Sequence, residues 1–153
     1  VGMNDFTSKP LQRQVIKDLI KKYTSKDSSV TKMKRMIIVE DDRTSAEILK
    51  IIIQPNFPHY SVRVTESGTE ACALIGSLKP DIIILDINLP DIDGVEVLKF
   101  LDKHQKHHHV KIILNSCLPE DDERLIEALK YNIHANFAKK MAKEDIIKIL
   151  RKC

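Results

Sequence analysis

Between Met33 and Cys153 the sequence alternates five short apolar segments with five segments of helical periodicity. Such an alternation is typical of parallel strands joined by helices, because a helical crossover separates each strand from the next. The predicted strands are Met36–Val39, Ser61–Val64, Asp81–Leu85, Lys111–Leu114 and Ala135–Phe137. The unbroken apolar run within Asp81–Leu85 indicates a strand that is buried on both faces. The sequence therefore predicts an α/β domain with a five-stranded, doubly wound parallel sheet.

The predicted helices carry their own start and stop signals. Ser67 and Glu70 have the spacing of a capping box, and Pro55 and Pro58 are expected to end the first helix. The predicted helices are Arg43–Gln54, Ser67–Leu78, Val95–Lys103, Asp121–Tyr131 and Glu144–Lys152. In sheets of this kind ligands bind at the carboxyl ends of the strands. Chemistry is therefore expected at the residues that directly follow each strand.

Segments that carry carboxylates, a hydroxyl or lysines stand at the carboxyl ends of four of the predicted strands. They are Glu40-Asp41-Asp42, Asp86, Asn115-Ser116-Cys117 and Phe137-Ala138-Lys139-Lys140. Carboxylates brought together in one crevice repel one another and raise each other's pKa values. A hard divalent cation relieves that repulsion, and oxygen ligands on two loops suit Mg²⁺. With a hydroxyl and an ammonium nearby, the set suits a phosphoryl group. Asp42 has the alternative role of helix N-cap, whereas Asp86 is followed by a loop.

Four segments in this order resemble the receiver domain of two-component response regulators. They are Val39-Glu40-Asp41, Asp86-Ile87-Asn88-Leu89-Pro90-Asp91-Ile92-Asp93-Gly94, Leu114-Asn115-Ser116 and Phe137-Ala138-Lys139-Lys140. The resemblance covers residues 34–153. It implies a flavodoxin-like sheet with strand order 2-1-3-4-5. The family pattern differs at Met141, where proline usually follows the basic residue, and at Cys117, where a smaller residue is usual.

The resemblance also implies a role for each site residue. Asp86 would be the phosphoacceptor. The Mg²⁺ ligands would be Asp41, Asp86 and the backbone carbonyl of Asn88, with Glu40 acting through water. Ser116 would donate a hydrogen bond to a phosphoryl oxygen, Lys140 would pair with the acid cluster, and Phe137 would be the aromatic residue that reorients on activation. Lys139 is the alternative to Lys140, but the spacing of three residues from Phe137 favours Lys140.

The implied function is to accept a phosphoryl group from a phosphohistidine on a histidine kinase or a histidine phosphotransfer domain. The resemblance suggests a parent chain that is a hybrid sensor histidine kinase with tandem receivers, and a segment with no turnover beyond self-phosphorylation and autodephosphorylation. Three alternatives stay open. One is a receiver-like interaction module that does not signal by phosphate. Another is a stand-alone or tandem response regulator without a kinase. The third is a small Mg²⁺-dependent phosphatase with an aspartyl nucleophile.

The first 23 residues look like the end of a second receiver. Phe6, Lys9 and Pro10 have the spacing of a receiver's last strand and loop, and an offset of 131 aligns Lys9 with Lys140. We therefore expect residues 1–23 to be the remnant of a preceding receiver, Thr24–Lys32 a linker, and residues 33–153 the intact domain. An unrelated amphipathic helix is the alternative. In either case its apolar stripe is expected to dock on this domain or to pair with a second chain as a homodimer.

The charge distribution argues against a nucleic-acid partner. Residues 1–35 hold nine Lys or Arg and three Asp, so a net +3 overall leaves −3 on the remaining residues, and no recognition motif accompanies the basic segment. The three cysteines form no CxxC pair, which fits reduced thiols in the cytoplasm. No apolar run reaches the roughly 18 residues that span a membrane, and no signal peptide is apparent, so no membrane contact is expected of this segment.

Overall fold

The computed structural model describes residues 32–104 and 109–153. Its five strands are β1 Lys34–Val39, β2 Tyr60–Thr65, β3 Ile82–Leu85, β4 Lys111–Ser116 and β5 Ala135–Ala138. Its helices are α1 Arg43–Asn56, α2 Gly68–Leu78, α3 Gly94–Lys103, α4 Glu123–Ala128 and α5 Lys143–Arg151. The predictions for residues 1–23 and for nearly all of the linker lie outside the described residues.

The strands form one parallel sheet in the order β2-β1-β3-β4-β5, which confirms the predicted fold. The central strand β3 is buried along its whole length, because helices cover both faces of the sheet. One face, with Ile37 and Leu85, packs against α2, α3 and α4. The other face, with Ile38 and Ile84, packs against α1 and α5. This double burial holds the carboxyl ends of β1, β3, β4 and β5 side by side at one edge.

Two helices, α1 and α4, differ from the prediction by two or three residues at their ends. Helix α1 continues through Pro55 to Asn56, because only the N–H of Pro55 is lost: the N–H of Phe57 still reaches the carbonyl of Ile53 at 2.8 Å. The side-chain amide of Asn56 adds a hydrogen bond to the carbonyl of Ile52 at 2.7 Å. Helix α4 is shorter than predicted, since Asp122 caps its start and the chain after Ala128 tightens into three-residue turns.

Only one of the two hydrogen bonds of the predicted capping box forms at the start of α2. Ser67 Oγ accepts the N–H of Glu70 at 3.1 Å, as predicted. The Glu70 carboxylate instead accepts the hydroxyl of Thr65, at the end of β2. The N–H of Ser67 donates to that same hydroxyl oxygen at 3.3 Å. This network joins β2 to α2 and fixes the α2 start close to the carboxyl edge of the sheet.

Within the two described ranges, no helix has both the length and the apolar character needed to cross a membrane.

Candidate functional site

Three carboxylates meet at the carboxyl edge of the sheet. Glu40 and Asp41 follow β1 and Asp86 follows β3, and one carboxylate oxygen of each lies within 4.8 Å of the others. Glu40 and Asp86 are fully buried, whereas Asp41 is exposed. The predicted convergence of the acids is therefore confirmed. The fourth acid, Asp42, caps α1 by accepting the N–H groups of Thr44 and Ser45.

Lys139 is the ammonium of this site. Its Nζ donates to Glu40 Oε1 at 2.6 Å and to Asp86 Oδ2 at 2.7 Å, and its side chain is only 17% exposed. The prediction that Lys140 pairs with the acids is wrong, because Lys140 is exposed while its neighbour makes both contacts. The two lysines form a turn directly after β5, and the first of them, Lys139, is the one whose side chain reaches the acids.

The electrostatics of the site leave it short of positive charge. Burial raises the pKa of Glu40, and the nearby charge of Asp86 adds to that rise despite the hydrogen bond from Lys139. Burial works against the charge of Lys139, yet the hydrogen bonds and charges of Asp86 and Glu40 outweigh it and raise the Lys139 pKa. One ammonium thus faces three carboxylates. A hard divalent cation with oxygen ligands fits this donor set.

Asn115 fixes the orientation of Glu40, and its role was not predicted. Its Nδ2 donates to Glu40 Oε2 at 3.1 Å, while the N–H of Asp42 donates to Glu40 Oε1 at 3.2 Å. Asn115 is 2% exposed, and among the described residues its Oδ1 has no hydrogen-bond partner. Burying a side-chain amide in a strand costs free energy unless its polar atoms form hydrogen bonds. The sequence signal for this contact is an amide that directly follows the apolar run Ile112–Leu114 within β4.

Ser116 and Phe137 lie on opposite faces of the sheet. Phe137 pairs in register with Asn115, and Ser116 pairs with Ala138. Phe137 is 1% exposed and belongs to the core against α1 and α5. Phe137, which the resemblance made the aromatic residue that reorients on activation, thus lies in this structure within the core, on the face opposite Ser116. Ser116 itself ends β4, is nearly buried, and accepts the N–H of Leu118 at 3.1 Å.

The loop after β3 packs closely on the start of α3. The N–H of Gly94 donates to the carbonyl of Ile87 at 2.8 Å, and Asp93 caps α3 by accepting the N–H of Val95 at 2.6 Å. A Cβ at Gly94 would lie 2.5 Å from the carbonyl oxygen of Asp86, so only glycine fits there. Within the loop, the N–H of Asn88 donates to Asp86 Oδ1 at 3.1 Å. The Asp86 carboxylate is thus held from both sides.

Asp91 ties the same loop to α2. Its carboxylate accepts the N–H of Gly68 at 2.9 Å, the N–H of Thr69 at 2.8 Å and the hydroxyl of Ser67 at 2.8 Å. Hydrogen bonds from Thr69, joined by that from Ser67, hold the pKa of Asp91 well below its usual range. A carboxylate at a helix N-terminus also meets the positive end of the helix dipole. The loop that carries Asp86 and Asn88 is therefore anchored at its far end.

Arg124, at the start of α4, reaches the loop from the other side. Its Nη1 donates to Asn88 Oδ1 at 2.7 Å, and its Nε and Nη2 donate to Asp122. Asp122 raises the pKa of Arg124, and the charges of Asp93 and Asp86 contribute. This residue was missed by the sequence analysis, because it follows no strand directly and only tertiary structure brings it to the site.

The chain matches the family model described as the response regulator receiver domain over residues 36–151. It belongs to the response regulator receiver domain family. The transcriptional regulatory protein YdfI of Bacillus subtilis is 29% identical over 114 residues, which are 74% of this chain and 52% of YdfI. The polar-differentiation response regulator DivK of Brucella ovis is 32% identical over 94 residues, which are 60% of this chain and 75% of DivK. The match thus spans about half of YdfI.

Solved structures of receivers share the fold. A CheY-like receiver domain protein from Methanospirillum hungatei has 25% identity and a TM-score of 0.68, with 78% of this chain and 92% of that chain covered. A second solved structure, from Chloroflexus aurantiacus, has 27% identity and a TM-score of 0.68, with 78% of this chain and 95% of that chain covered. Receiver domains take phosphoryl groups from histidine kinases or phosphotransfer proteins and bind Mg²⁺ at a cluster of acidic residues. Glu40, Asp41 and Asp86 form such a cluster in this receiver.

Proposed function

We propose that Asp86 is the phosphoacceptor of this receiver. The observation that carries the proposal is the Asp86 carboxylate, buried between the ammonium of Lys139 at 2.7 Å and the N–H of Asn88 at 3.1 Å, with two more carboxylates beside it. A buried carboxylate with a cation and acids that suit Mg²⁺ has what phosphoryl transfer requires, namely positioning and charge stabilisation. An ion pair between Lys139 and Asp86 that only stabilised the fold would not need the further carboxylates of Glu40 and Asp41.

We propose that Mg²⁺ is held by Asp41, Asp86 and the backbone carbonyl of Asn88, with Glu40 acting through water. Both Glu40 oxygens already accept hydrogen bonds, Oε1 from Lys139 and Oε2 from Asn115, which supports a contact through water. When bound, the cation neutralises the acids and stabilises charge on the phosphoryl oxygens. The donors of Asn115 and Asp42 keep the Glu40 carboxylate in one orientation.

In this proposal each remaining site residue acts on the phosphoryl group directly. A lone pair on an Asp86 carboxylate oxygen attacks phosphorus while the bond from phosphorus to the imidazole nitrogen of the donor breaks, and that bond's electron pair returns to the nitrogen. Lys139 then pairs with a phosphoryl oxygen, for which its raised pKa keeps it charged. The Ser116 oxygen accepts the N–H of Leu118, and its hydroxyl hydrogen remains to be donated to another phosphoryl oxygen.

Incubation with Mg²⁺ and acetyl phosphate tests this proposal. Intact-mass spectrometry is expected to show one added phosphoryl group on the full chain, and none on Asp86→Asn. Beryllofluoride with Mg²⁺ is expected to form a stable adduct on the wild-type chain alone. Circular dichroism must show that Asp86→Asn folds, since Asp86 is fully buried. Phosphate on a different residue, or an equal gain of mass in Asp86→Asn, would rule Asp86 out as the acceptor. Continuous release of many equivalents of phosphate would favour the phosphatase alternative.

We propose that the natural donor is a phosphohistidine on a histidine kinase or phosphotransfer domain that docks on α1. Ile48 and Ile51 on α1 are 52% and 66% exposed, and Ile48 lines a cavity together with Lys139. An exposed apolar patch beside a reactive site is typical of a docking surface. Replacing both isoleucines with alanine is expected to slow transfer from a phosphorylated phosphotransfer domain and to leave acetyl phosphate labelling unchanged. Equal slowing with both donors would contradict docking there.

We also propose that the parent protein carries tandem receivers, as in a hybrid sensor histidine kinase. The support is the internal similarity between residues 1–23 and the residues that follow β5. The coding sequence upstream of this segment tests the proposal. Acid-rich strand ends of a second receiver are expected there, in the order found in residues 34–153, and their absence would contradict the tandem arrangement.

A further inference from the structure

Arg124 joins two loops at the carboxyl edge of the sheet. Its Nη1 donates to Asn88 Oδ1 at 2.7 Å, although the two residues are 36 positions apart. Asn88 belongs to the loop after β3, and Arg124 lies on the helix that follows β4. Because β3 and β4 are neighbours in the sheet, this hydrogen bond closes the gap between their two loops.

The guanidinium is oriented by Asp122. Arg124 Nε donates to Asp122 Oδ1 at 3.3 Å and Nη2 donates to Asp122 Oδ2 at 3.2 Å, so both carboxylate oxygens are used. Asp122 is fixed in turn, because its Oδ1 accepts the N–H of Arg124 at 2.9 Å and its side chain is 20% exposed. A planar guanidinium held by two bonds to one carboxylate has little freedom. The third contact of the guanidinium, the hydrogen bond from Nη1 to Asn88 Oδ1, therefore has a fixed direction.

The chain of contacts continues to Asp86. The N–H of Asn88 donates to Asp86 Oδ1 at 3.1 Å, so Asp122, Arg124, Asn88 and Asp86 are linked in series. Asp86 is 0% exposed, whereas Asn88 is exposed and the Arg124 side chain is 46% exposed. The series thus runs from the buried Asp86 carboxylate out to two residues that solvent reaches.

We propose that Arg124 is a positioning residue that fixes the side chain of Asn88, two residues after Asp86, and prolongs the lifetime of the phosphorylated state. The inference rests on the proposed function of Asp86. Phosphate is lost when a water oxygen attacks phosphorus, the bond from phosphorus to the Asp86 oxygen breaks, and its electron pair returns to the carboxylate. Inorganic phosphate leaves, and the proton released by the water passes to phosphate or solvent. Asn88 held by Arg124 restricts the approach of that water.

Decay of the aspartyl phosphate measures this effect. The full chain is phosphorylated with acetyl phosphate and Mg²⁺, the donor is removed, and the intact mass is followed with time. Arg124→Ala is expected to lose phosphate about tenfold faster than the wild type, which corresponds to about 1.4 kcal/mol in the barrier. Arg124→Lys is expected to decay nearly as fast as Arg124→Ala, because an ammonium cannot hold Asp122 and Asn88 together as the planar guanidinium does. A wild-type rate in Arg124→Lys would show that charge suffices and would overturn the positioning role.

A double-mutant cycle tests whether Arg124 acts through Asn88. Asn88→Ala is expected to speed decay, and Asn88→Ala with Arg124→Ala is expected to be no faster than the faster single variant. Additive effects would contradict the proposal. Lys130→Ala is the matched control, because Lys130 makes an exposed ion pair with Glu127 at 2.8 Å in the same region, and its decay is expected to match the wild type.

The outcomes separate this inference from the proposed function. A wild-type chain that takes no phosphate at Asp86 would overturn both. A wild-type chain that is phosphorylated, with Arg124→Ala decaying at the wild-type rate, would overturn the role of Arg124 alone. Thermal unfolding of each variant checks for loss of structure. Arg124 is 46% exposed, so its replacement is expected to leave the fold intact.

Discussion

Lys139 Nζ lies 2.7 Å from Asp86 Oδ2 and, at the same time, 2.6 Å from Glu40 Oε1. A single ammonium therefore bridges the buried carboxylates that follow two neighbouring strands, β1 and β3. Because both acids are fully buried, the loss of this ammonium would leave them without their cationic partner. The position of the lysine, one residue earlier than the sequence suggested, makes a direct test available.

Replacement of Lys139 is expected to impair phosphorylation, and replacement of Lys140 is not. Lys139→Ala removes the cation that would stabilise charge on the transferred group, and we expect labelling by acetyl phosphate to slow by about 100-fold, the usual effect of removing one such donor. Lys140→Ala is the matched control, since Lys140 is the adjacent, exposed lysine. The initial rate of mass gain in the presence of Mg²⁺ measures both. A defect in Lys140→Ala with normal Lys139→Ala would restore the assignment made from the sequence.

The resemblance to receiver domains implied the strand order. The sequence pattern itself predicted the meeting of Glu40, Asp41 and Asp86, because parallel strands place their carboxyl ends at one edge. It did not place the lysine correctly. A strand of four residues, β5, offers few residues to fix its register, and a shift of one residue exchanges the two faces of the sheet. The spacing of three residues from Phe137 favours Lys140, but Phe137 belongs to the core and does not mark the site.

The assignment of Lys139 to the site also changes the sequence alignment between residues 1–23 and the end of the domain. With Lys139 as the reference, the offset to Lys9 becomes 130. The offset then aligns Ile16 with Ile146 and Ile20 with Leu150. Ile146 and Leu150 are buried core residues of α5, so the apolar pattern of the two segments agrees in this register.

The contact from Arg124 to Asn88 could not be predicted from the spacing of residues in the sequence, because it depends on how α4 is placed on the sheet.

Mg²⁺ is expected to stabilise the folded protein, and chelation is expected to reverse the effect. The cation binds the folded acid cluster and relieves its repulsion, so saturation at 100 times Kd would add about 2.7 kcal/mol to the free energy of unfolding. Thermal unfolding with Mg²⁺ and with excess chelator measures the difference. Asp41→Asn is expected to reduce the Mg²⁺ effect, because Asp41 is the exposed acid of the cluster. A Mg²⁺ effect of unchanged size in Asp41→Asn would argue against this site.

Two glycine substitutions are expected to have different consequences. In Gly94→Ala the new Cβ would lie 2.5 Å from the carbonyl oxygen of Asp86 and 2.8 Å from Ile87 Cα, which are backbone atoms that cannot move aside cheaply. We expect a loss of about 1–3 kcal/mol in the free energy of unfolding. In Gly76→Ala nothing lies within 4 Å of the new Cβ, and the site is inside α2. Alanine there is expected to stabilise by about 0.5–1 kcal/mol.

Urea unfolding measures both glycine variants under one set of conditions. Acetyl phosphate labelling of Gly94→Ala adds a second measurement, because the clash falls on the backbone of Asp86 itself. A Gly94→Ala variant as stable as the wild type would show that the loop after β3 can move away from α3, and would contradict the close approach as the reason for glycine.

Asp91 is expected to stabilise the protein in a pH-dependent way. Its pKa is lowered in the folded state by hydrogen bonds from Thr69 and Ser67, so the folded state binds its proton less readily than the unfolded chain does. Its contribution is therefore fully present above the unfolded pKa of about 3.8 and is lost as the pH falls below that value toward the lower folded pKa. Asp91→Asn is expected to be less stable than the wild type at neutral pH, because an amide offers one acceptor where the carboxylate offers two.

The stability difference between wild type and Asp91→Asn is expected to shrink as the pH is lowered below about 4. Urea unfolding at a series of pH values measures it, and Asp102→Asn, an exposed aspartate on α3, serves as the control. Because Asp91 anchors the loop that carries Asp86 and Asn88 to α2, the variant is also expected to bind Mg²⁺ more weakly at neutral pH. A stability difference that stays constant from neutral pH to pH 3 would mean that the charge of Asp91 is not what holds the loop.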